Sequence, residues 1–189
     1  MNKKHIITIA GKPGSGKSTT AKGLTQTLLY ERFSSGDFFR AIGKERGIDV
    51  FETNLVAESE KTIDELVDQK LRDLGESGDN MIIDSRMAWH WMPYSFRVYL
   101  DLDITIAAER IFTTLEQERL EAEHIPDTAQ EYAIKLQQRL DSEAKRYMDL
   151  YKVNPYDMTN YDLVVNSAKH DKQEVQRIIL EAYNNWLKK

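Results

Sequence analysis

Short apolar runs alternate along the chain with longer stretches in which apolar residues recur every three or four positions. The runs are rich in β-branched residues, as in His5-Ile6-Ile7-Thr8-Ile9-Ala10, and are typical of buried strands. They predict strands at 5–10, about 30–34, 80–84, 96–101 and 161–166. The amphipathic stretches predict helices near 17–29, 36–46, 55–75, 104–121, 127–150 and 171–188. Strands separated by helices predict an α/β fold, with a five-stranded parallel sheet flanked by helices.

Composition places the chain among ordinary globular proteins. It has 189 residues, of which 41% are hydrophobic and 30% are charged, and its net charge is −5. These values predict a single domain over 1–189. Two stretches with few apolar anchors predict more mobile segments, at about 41–79 and at about 113–130, of which the second is a lid. The sequence has no block of basic residues, no apolar run of membrane-spanning length and no cysteine. This favours a cytoplasmic protein without a nucleic-acid or membrane partner.

The segment between the first strand and the first helix has the spacing of a phosphate-binding loop. Residues 11–18 read Gly-Lys-Pro-Gly-Ser-Gly-Lys-Ser and satisfy the pattern G-x-x-x-x-G-K-[ST]. The glycines permit a bend in which successive N–H groups converge on a phosphate at a helix N-terminus. Lys17 would supply positive charge to the β and γ oxygens, and the Ser18 hydroxyl would ligate Mg²⁺. A chance match to a glycine-rich turn is disfavoured because the strand and helix on either side are the correct ones.

Polar residues that follow the second and third strands are candidates for holding a second ligand, because ligands of open α/β sheets bind at the carboxyl ends of the strands. Arg40 could pair with a phosphate beside Ser35. Equally, Ser35 could cap a helix and Arg40 could lie on its solvated face. Asp84 and Arg86 suit a phosphorylated substrate and a metal-bound water, and the alternative for that pair is a structural salt bridge.

Arginines recur in the second half of the chain, at positions 110, 119, 139 and 146. Phosphoryl transfer spreads negative charge over the moving group, and converging cations stabilise it. The alternative for each arginine is an ion pair with an acidic residue on the same helix, which we favour for Arg119. Arg139 and Arg146 are seven positions apart, so they project from one helix face as a clamp requires.

Several of these motifs, in this order, resemble nucleoside monophosphate kinases. The motifs are the phosphate loop, Ser35-Gly36-Asp37-x-x-Arg40, Asp84-x-Arg86, Ala108-Glu109-Arg110 and Ser142-Glu143-Ala144-Lys145-Arg146-Tyr147. The likeness continues into 161–167 and covers almost the whole chain. It is greatest to the short, archaeal-type cytidylate kinases.

The resemblance implies a P-loop NTPase fold and a monomeric enzyme that phosphorylates a nucleoside monophosphate, favouring CMP or dCMP, with ATP and Mg²⁺. Residues matching the family's donor-phosphate loop are Gly11, Lys12, Pro13, Gly14, Ser15, Gly16, Lys17, Ser18 and Thr19. Those matching positions around the acceptor are Ser35, Arg40, Asp84 and Arg86. The implied catalytic residues are Lys17 and the lid and transfer arginines, Arg110, Arg139 and Arg146, and the implied metal ligand is Ser18. The turn after Asn166 matches a segment that passes the donor's adenine.

Two departures from related kinases concern the acceptor and the lid. Adenylate kinases carry Gly-Phe-Pro-Arg and a later Gln after the third strand, where this chain has Asp84-Ser85-Arg86 and His90. Short cytidylate kinases have a second basic residue soon after the position of Arg110, where this chain has Thr113 and Thr114. An adenylate-type or other small-metabolite kinase therefore stays open as an alternative, and so does a non-catalytic nucleotide-binding module.

The acidic helix predicted before the third strand gives a hypothesis for the acceptor base. Cytosine offers an amino donor beside acceptors at N3 and O2, so its pocket needs a carboxylate or carbonyl paired with a donor. Asp64 and Asp68 share one helix face, and the alternative is that this face is solvated. The aromatic segment 87–94 predicts core packing for most of its side chains and leaves one ring to line a base pocket.

Closure of 41–79 and 113–130 over both nucleotides would exclude water.

Overall fold

All five predicted strands form in the computed structural model, which describes residues 4–48, 53, 56–57, 60, 62–114, 126 and 128–189. The strands are β1 (Ile6–Gly11), β2 (Glu31–Ser34), β3 (Met81–Asp84), β4 (Phe96–Asp101) and β5 (Leu163–Asn166). The predicted bounds of β4 coincide with these, and those of the other strands differ by one or two residues. The last strand begins later than predicted because Asp162 uses its carboxylate to accept hydrogen bonds from the backbone and side chain of Arg97.

The strands form one sheet in the order β2-β3-β1-β4-β5, and every pairing is parallel. The phosphate-loop strand β1 is therefore central, and all six of its residues are buried. Because the strands are parallel, their carboxyl ends meet at one edge of the sheet. This confirms the α/β fold and the parallel five-stranded sheet.

Seven helices are described, together with a 3₁₀ turn at Met158–Asn160. They are α1 (Lys17–Leu28), α2 (Ser35–Glu45), α3 (Thr62–Ser77), α4 (Ala88–Trp91), α5 (Ile104–Thr114), α6 (Ala129–Tyr151) and α7 (Lys172–Leu187). Only the four-residue α4 was not predicted as a helix. Much of the predicted lid segment, 115–125 and 127, lies outside the described residues, as do 49–52, 54–55, 58–59 and 61 of the other segment.

Successive side chains of a strand point to opposite faces of the sheet, so the core is divided between those two faces. On one face, Ile7 and Ile9 pack with α1 and α7 through Leu24 and Ile179. On the other face, Ile6 packs with residues of α3, α4 and β3, which include Val67, Leu71, Met81, Ile83, Ala88 and Met92. Helix α3 is thus fixed against the sheet on the side where β3 ends.

The aromatic segment after β3 is largely core, as predicted. Met87, Ala88, Trp89 and Met92 are all buried. The ring of Trp91 is only half-buried and points its indole N–H at helix α3. No helix in the described ranges is long and apolar enough to cross a membrane.

Candidate active site

The phosphate loop joins β1 to α1 and has the backbone conformation that its glycines allow. Gly14 and Gly16 have φ of 74° and 88°, in the left-handed region that favours glycine. A Cβ at Gly14 would lie 2.8 Å from the carbonyl oxygen of Ala107, so this turn also needs a residue without a side chain. Gly16 caps α1 without any side-chain hydrogen bond, which leaves the helix N-terminus available to an anion.

Lys17 is the first residue of α1 and lies within the loop. Its Nζ donates to the backbone oxygen of Lys12 over 2.9 Å. Burial and the nearby Arg86 guanidinium lower the pKa of Lys17 to about 8. A lysine whose pKa is lowered in this way lies where an additional negative charge would be stabilising. An anion bound in the loop would balance this charge.

Ser18 reaches the end of β3. Its hydroxyl donates to Oδ2 of Asp84 over 2.6 Å, and that oxygen is also 3.4 Å from the guanidinium of Arg32. A hydroxyl and a carboxylate beside a phosphate loop are the hard oxygen donors that Mg²⁺ prefers. No group of three or more histidine, cysteine or acidic residues in the described ranges could hold a metal ion by itself. The arrangement fits a magnesium ion that completes its shell with phosphate and water.

Arg32 was not among the predicted site residues. It comes from β2 and also lies 3.5 Å from Oδ2 of Asp37. The register pairs Ser34 with Asp84, so β2 and β3 deliver these side chains to the same edge of the sheet. Its position two residues before Ser34, in the same short strand, was the available signal.

At the start of α2, Arg40 lies on the exposed face as in the alternative prediction, and the cap is one residue earlier than predicted. Ser34, one residue before Ser35, caps α2 by accepting from the backbone N–H of Asp37. The predicted cap at Ser35 is therefore wrong by one residue, because Ser34 still belongs to β2 and has the extended backbone of a cap. Arg40 is half-exposed and pairs with Asp37 at the mouth of the site.

The second half of the site is built around one buried carboxylate. Glu143 accepts from Nε of Arg139 at 3.0 Å through one oxygen, and lies 3.1 Å from Nε of Arg86 through the other. The Tyr156 hydroxyl donates to the same carboxylate over 2.6 Å. Burial raises the pKa of Glu143, but the two guanidiniums outweigh burial and lower it to about 2. Arg86 therefore pairs with Glu143, and the predicted alternative of an Asp84–Arg86 salt bridge is wrong.

Arg146 lies on the same side of α6 as Arg139 and Glu143, and its side chain reaches α3. Its Nε donates to Oδ2 of Asp64 over 3.0 Å. Asp64 and Asp68 are only 4% and 2% exposed. The alternative that they form a solvated helix face is therefore wrong, because α4 and α6 cover that face of α3.

Asp68 lies one helical turn after Asp64, on the same covered face of α3. Its Oδ1 accepts from the indole N–H of Trp91 over 3.1 Å. Burial raises the pKa of Asp68 to about 6 against the opposing effects of Tyr151 and Trp91. The guanidinium of Arg72 lies over the Trp91 ring, 3.8 Å from its centroid.

A cleft of about 440 Å³ opens on the other side of the phosphate loop. It is bounded by Gly14 to Gly16, by Arg110 of α5 and by the turn after β5, including Ser167, His170 and Asp171. Arg110 donates to the backbone oxygen of Ser167 over 2.9 Å. Arg110 thus lies beside the turn after Asn166, whereas Arg86, Arg139 and Arg146 gather around Glu143 and Asp64. Arg119 lies outside the described residues.

The remaining loop residues are held near this cleft. Lys12 donates to the backbone oxygen of Leu102 over 3.0 Å and lies 3.8 Å from Asp101, so β4 anchors it. Pro13 is half-buried and Thr19 is exposed. Ser15 is buried, and its hydroxyl has no hydrogen-bond partner within the part of the chain that the structure describes. A phosphate in the loop would give that hydroxyl an acceptor.

The central sheet, the loop and the charged side chains around it define a P-loop NTPase of the small-kinase type. A shikimate kinase from Bacteroides thetaiotaomicron has this fold, with a TM-score of 0.62 at 15% identity over 97% of this chain and 96% of that one. A family model of the cytidylate kinase-like family matches residues 6–169, and the chain belongs to that family.

Relatives that are named cytidylate kinases agree with membership of this family. The chain is 37% identical to a cytidylate kinase of Haloarcula marismortui over 188 residues, which cover 96% of this chain and 90% of the relative. It is 31% identical to a cytidylate kinase of Methanobrevibacter smithii, over 93% of this chain and 96% of that one. Both organisms are archaea, in agreement with the resemblance to the archaeal type.

Proposed function

We propose that this protein transfers the γ-phosphoryl group of ATP to CMP or dCMP, with Mg²⁺. The observation that carries the proposal is the continuous set of charges from the phosphate loop to α3. Lys17 is followed by Arg86 and Arg139 around Glu143, and then by Arg146 on Asp64. Relatives named cytidylate kinase support the choice of acceptor.

The donor fits the cleft beside the phosphate loop. The triphosphate would lie on the N-terminus of α1 with Lys17 at its β and γ oxygens, and the base would lie in the cleft that Arg110 and the turn after β5 line. Ser18, held by Asp84, would ligate Mg²⁺. When bound, the metal ion neutralises charge on the β- and γ-phosphates.

The acceptor phosphate would bind to the arginines that are paired with Glu143 and Asp64, which are Arg86, Arg139 and Arg146. Arginine pairs with phosphate and carboxylate through the same planar donor geometry, so a phosphate can replace a carboxylate without moving the guanidinium far. An oxygen of the acceptor phosphate then attacks the γ-phosphorus, and the bond from that phosphorus to the β–γ bridging oxygen breaks. ADP leaves with that electron pair, and a nucleoside diphosphate is formed.

No general base is needed in this reaction because the attacking phosphate oxygen is already ionised at neutral pH. The site therefore works by positioning and by stabilising the charge of the transferred group. Arg139 and Arg146 would touch that group together with Lys17. We further propose that the enzyme acts as a monomer in the cytoplasm, where ATP is available.

Turnover of a panel of nucleoside monophosphates with ATP and Mg²⁺ tests the proposal. CMP and dCMP should be phosphorylated with higher kcat/KM than UMP, AMP and GMP, and omission of Mg²⁺ should abolish turnover. Equal or better turnover of AMP would instead favour the adenylate-type alternative. ATP binding without turnover of any acceptor would favour a non-catalytic module.

A further inference from the structure

We infer that Asp68 reads the base of the acceptor: its second carboxylate oxygen accepts a hydrogen bond from the amino group of cytosine and disfavours uracil. This inference rests on the proposed function and names the group that selects its substrate. It concerns a side chain that neither the phosphate loop nor the arginines around Glu143 require.

The carboxylate of Asp68 is only half satisfied. Oδ1 accepts from Trp91, whereas Oδ2 is buried and makes no hydrogen bond of normal geometry with any described residue. The Tyr151 hydroxyl is near enough to lower the pKa of Asp68, but it too makes no such bond. Buried polar atoms are nearly always paired, so an unpaired carboxylate oxygen needs an explanation. A ligand that brings a donor to this oxygen would supply one.

A donor lies on the same face of α3. Arg72 follows Asp68 by four positions, so the two side chains are neighbours on the helix. The guanidinium of Arg72 stacks on the Trp91 ring, and its Nε is buried without a hydrogen-bond partner in the described ranges. Trp91 therefore contacts both the acceptor group and the donor group.

This pair complements cytosine and not uracil. Cytosine presents an amino donor beside acceptors at N3 and O2, which match a carboxylate and a guanidinium. Uracil presents a carbonyl oxygen where cytosine has its amino group, so that oxygen would face the Asp68 carboxylate. Two acceptors in contact, with no water between them, are unfavourable.

The position of Asp68 along α3 also suits a contact with the base of the acceptor. Asp64 holds Arg146 one helical turn before Asp68, at a rise of about 6 Å. If the acceptor phosphate binds at Arg146, its base lies further along the helix, with the ribose between them. The base then reaches Asp68 while the phosphate stays beside Glu143 and the phosphate loop.

Protonation gives a second way to observe this contact. The groups that face Asp68 are Asp64 and Arg72 of α3, Trp91 of α4, and Tyr147 and Tyr151 of α6. The pKa of Asp68 is raised to about 6 in the free protein, and kcat/KM reports the free enzyme. A protonated carboxyl can donate to the uracil carbonyl, so the preference for CMP over UMP should fall as the pH is lowered through 6.

Asp68→Asn is the decisive variant, because an amide can donate to uracil. The ratio of kcat/KM for CMP to that for UMP should fall by about tenfold or more, the loss expected for a hydrogen bond to a charged group. Asp73→Asn is the matched control, since Asp73 lies on the exposed side of the same helix and bonds Gln69. That control should leave the ratio unchanged.

The outcomes separate the inference from the function it rests on. A wild-type enzyme that phosphorylates neither CMP nor UMP overturns the proposed function itself. A wild-type enzyme that prefers CMP, with the same preference in Asp68→Asn, overturns the role of Asp68 alone. If Asp68→Asn does not fold, the wild-type ratio between pH 7.5 and 5 decides, and a ratio constant with pH counts against the inference.

Discussion

Arg146 donates from Nε to Oδ2 of Asp64 over 3.0 Å, although 82 positions separate the two residues along the chain. The pair joins the long helix α6 to α3, and both side chains are largely buried. Burial raises the pKa of Asp64 despite the pairing with Arg146. Burial of the carboxylate thus opposes the ion pair, and a buried pair of this kind is weak evidence for a stabilising role.

We expect Arg146→Ala to lower turnover by at least about 10²-fold, with little change in ATP affinity, because Arg146 would contact the acceptor phosphate and the group in transfer and not the bound ATP. Arg139→Ala should act in the same way. Steady-state kinetics and equilibrium titration with ATP measure the two effects. Arg177→Ala, an exposed arginine on α7, serves as the control. A large loss of ATP affinity with normal turnover would contradict this role.

Arg146→Ala also leaves Asp64 buried without its partner, which should lower the free energy of unfolding by about 3–5 kcal/mol. The double variant Arg146→Met with Asp64→Asn removes both charges. It should recover most of the lost stability and none of the lost turnover. Recovery of turnover in the double variant would show that Arg146 acts only through folding.

We expect Lys17 to be needed for its charge and not for folding. Lys17→Ala should reduce phosphoryl transfer by on the order of 10²- to 10³-fold, as for other preorganised cationic groups. The pKa of Lys17 is lowered to about 8, so holding this charge costs free energy in the folded protein, although the amine is still mostly protonated at pH 7. The melting temperature of Lys17→Ala should therefore not fall. A variant that keeps near-normal turnover would rule out the phosphate-loop mechanism.

Glu143 should govern part of the acid sensitivity of the fold. Its pKa is lowered from 4.5 to about 2, so its contribution to stability is complete above pH 4.5 and is lost as the pH falls toward 2. Glu143→Gln should lower the free energy of unfolding at pH 7 by on the order of 3 kcal/mol. Urea unfolding at pH 7 and pH 3 should show that this difference shrinks in acid. Glu174→Gln, at an exposed site on α7, should show no such change.

Asp68 should behave in the opposite way. Its pKa is raised from 3.8 to about 6, so it destabilises the fold above pH 6, and this cost disappears as the pH falls toward 3.8. Asp68→Asn should therefore be more stable than the wild type at pH 7, by on the order of 1–3 kcal/mol, and no more stable at pH 4. Thermal unfolding at both pH values measures this. A destabilised variant at pH 7 would indicate a structural carboxylate.

Closure over both nucleotides stays a prediction that hydrogen exchange can test. A bisubstrate analogue should protect 41–79 and 113–130 more than ATP alone does, because solvent is excluded only when both sites are filled. Peptides from α7 serve as the internal reference. Equal protection by ATP and by the analogue would refute the lid assignment.

Local signals in the sequence were sufficient for the sheet and the phosphate loop. The apolar run at 5–10 and the spacing of Gly11, Gly16 and Lys17 depend only on neighbours along the chain. The same is true of the Arg139–Glu143 pair, which is one helical turn apart. Sequence also placed Asp64 and Asp68 on one helix face.

Contacts between distant segments could not be predicted. The pairing of Arg86 with Glu143 and of Arg146 with Asp64 depends on how α6 packs across the ends of β3 and α3. The burial of Asp68 depends equally on the four-residue helix α4, which is too short to show a helical period. The cap at Ser34 was missed because adjacent serines offer the same side-chain oxygen, and only the end of β2 chooses between them.

The order of the strands has a consequence for synthesis on the ribosome. β1 emerges first, yet its register partners are Met81 in β3 and Phe96 in β4. Gly11, where the phosphate loop begins, pairs with Leu100. Until β4 has left the exit tunnel, the amino-terminal strand has no neighbour on one side and the loop has no fixed anchor. A nascent chain of this protein therefore acquires its nucleotide site only after more than half of it has been made.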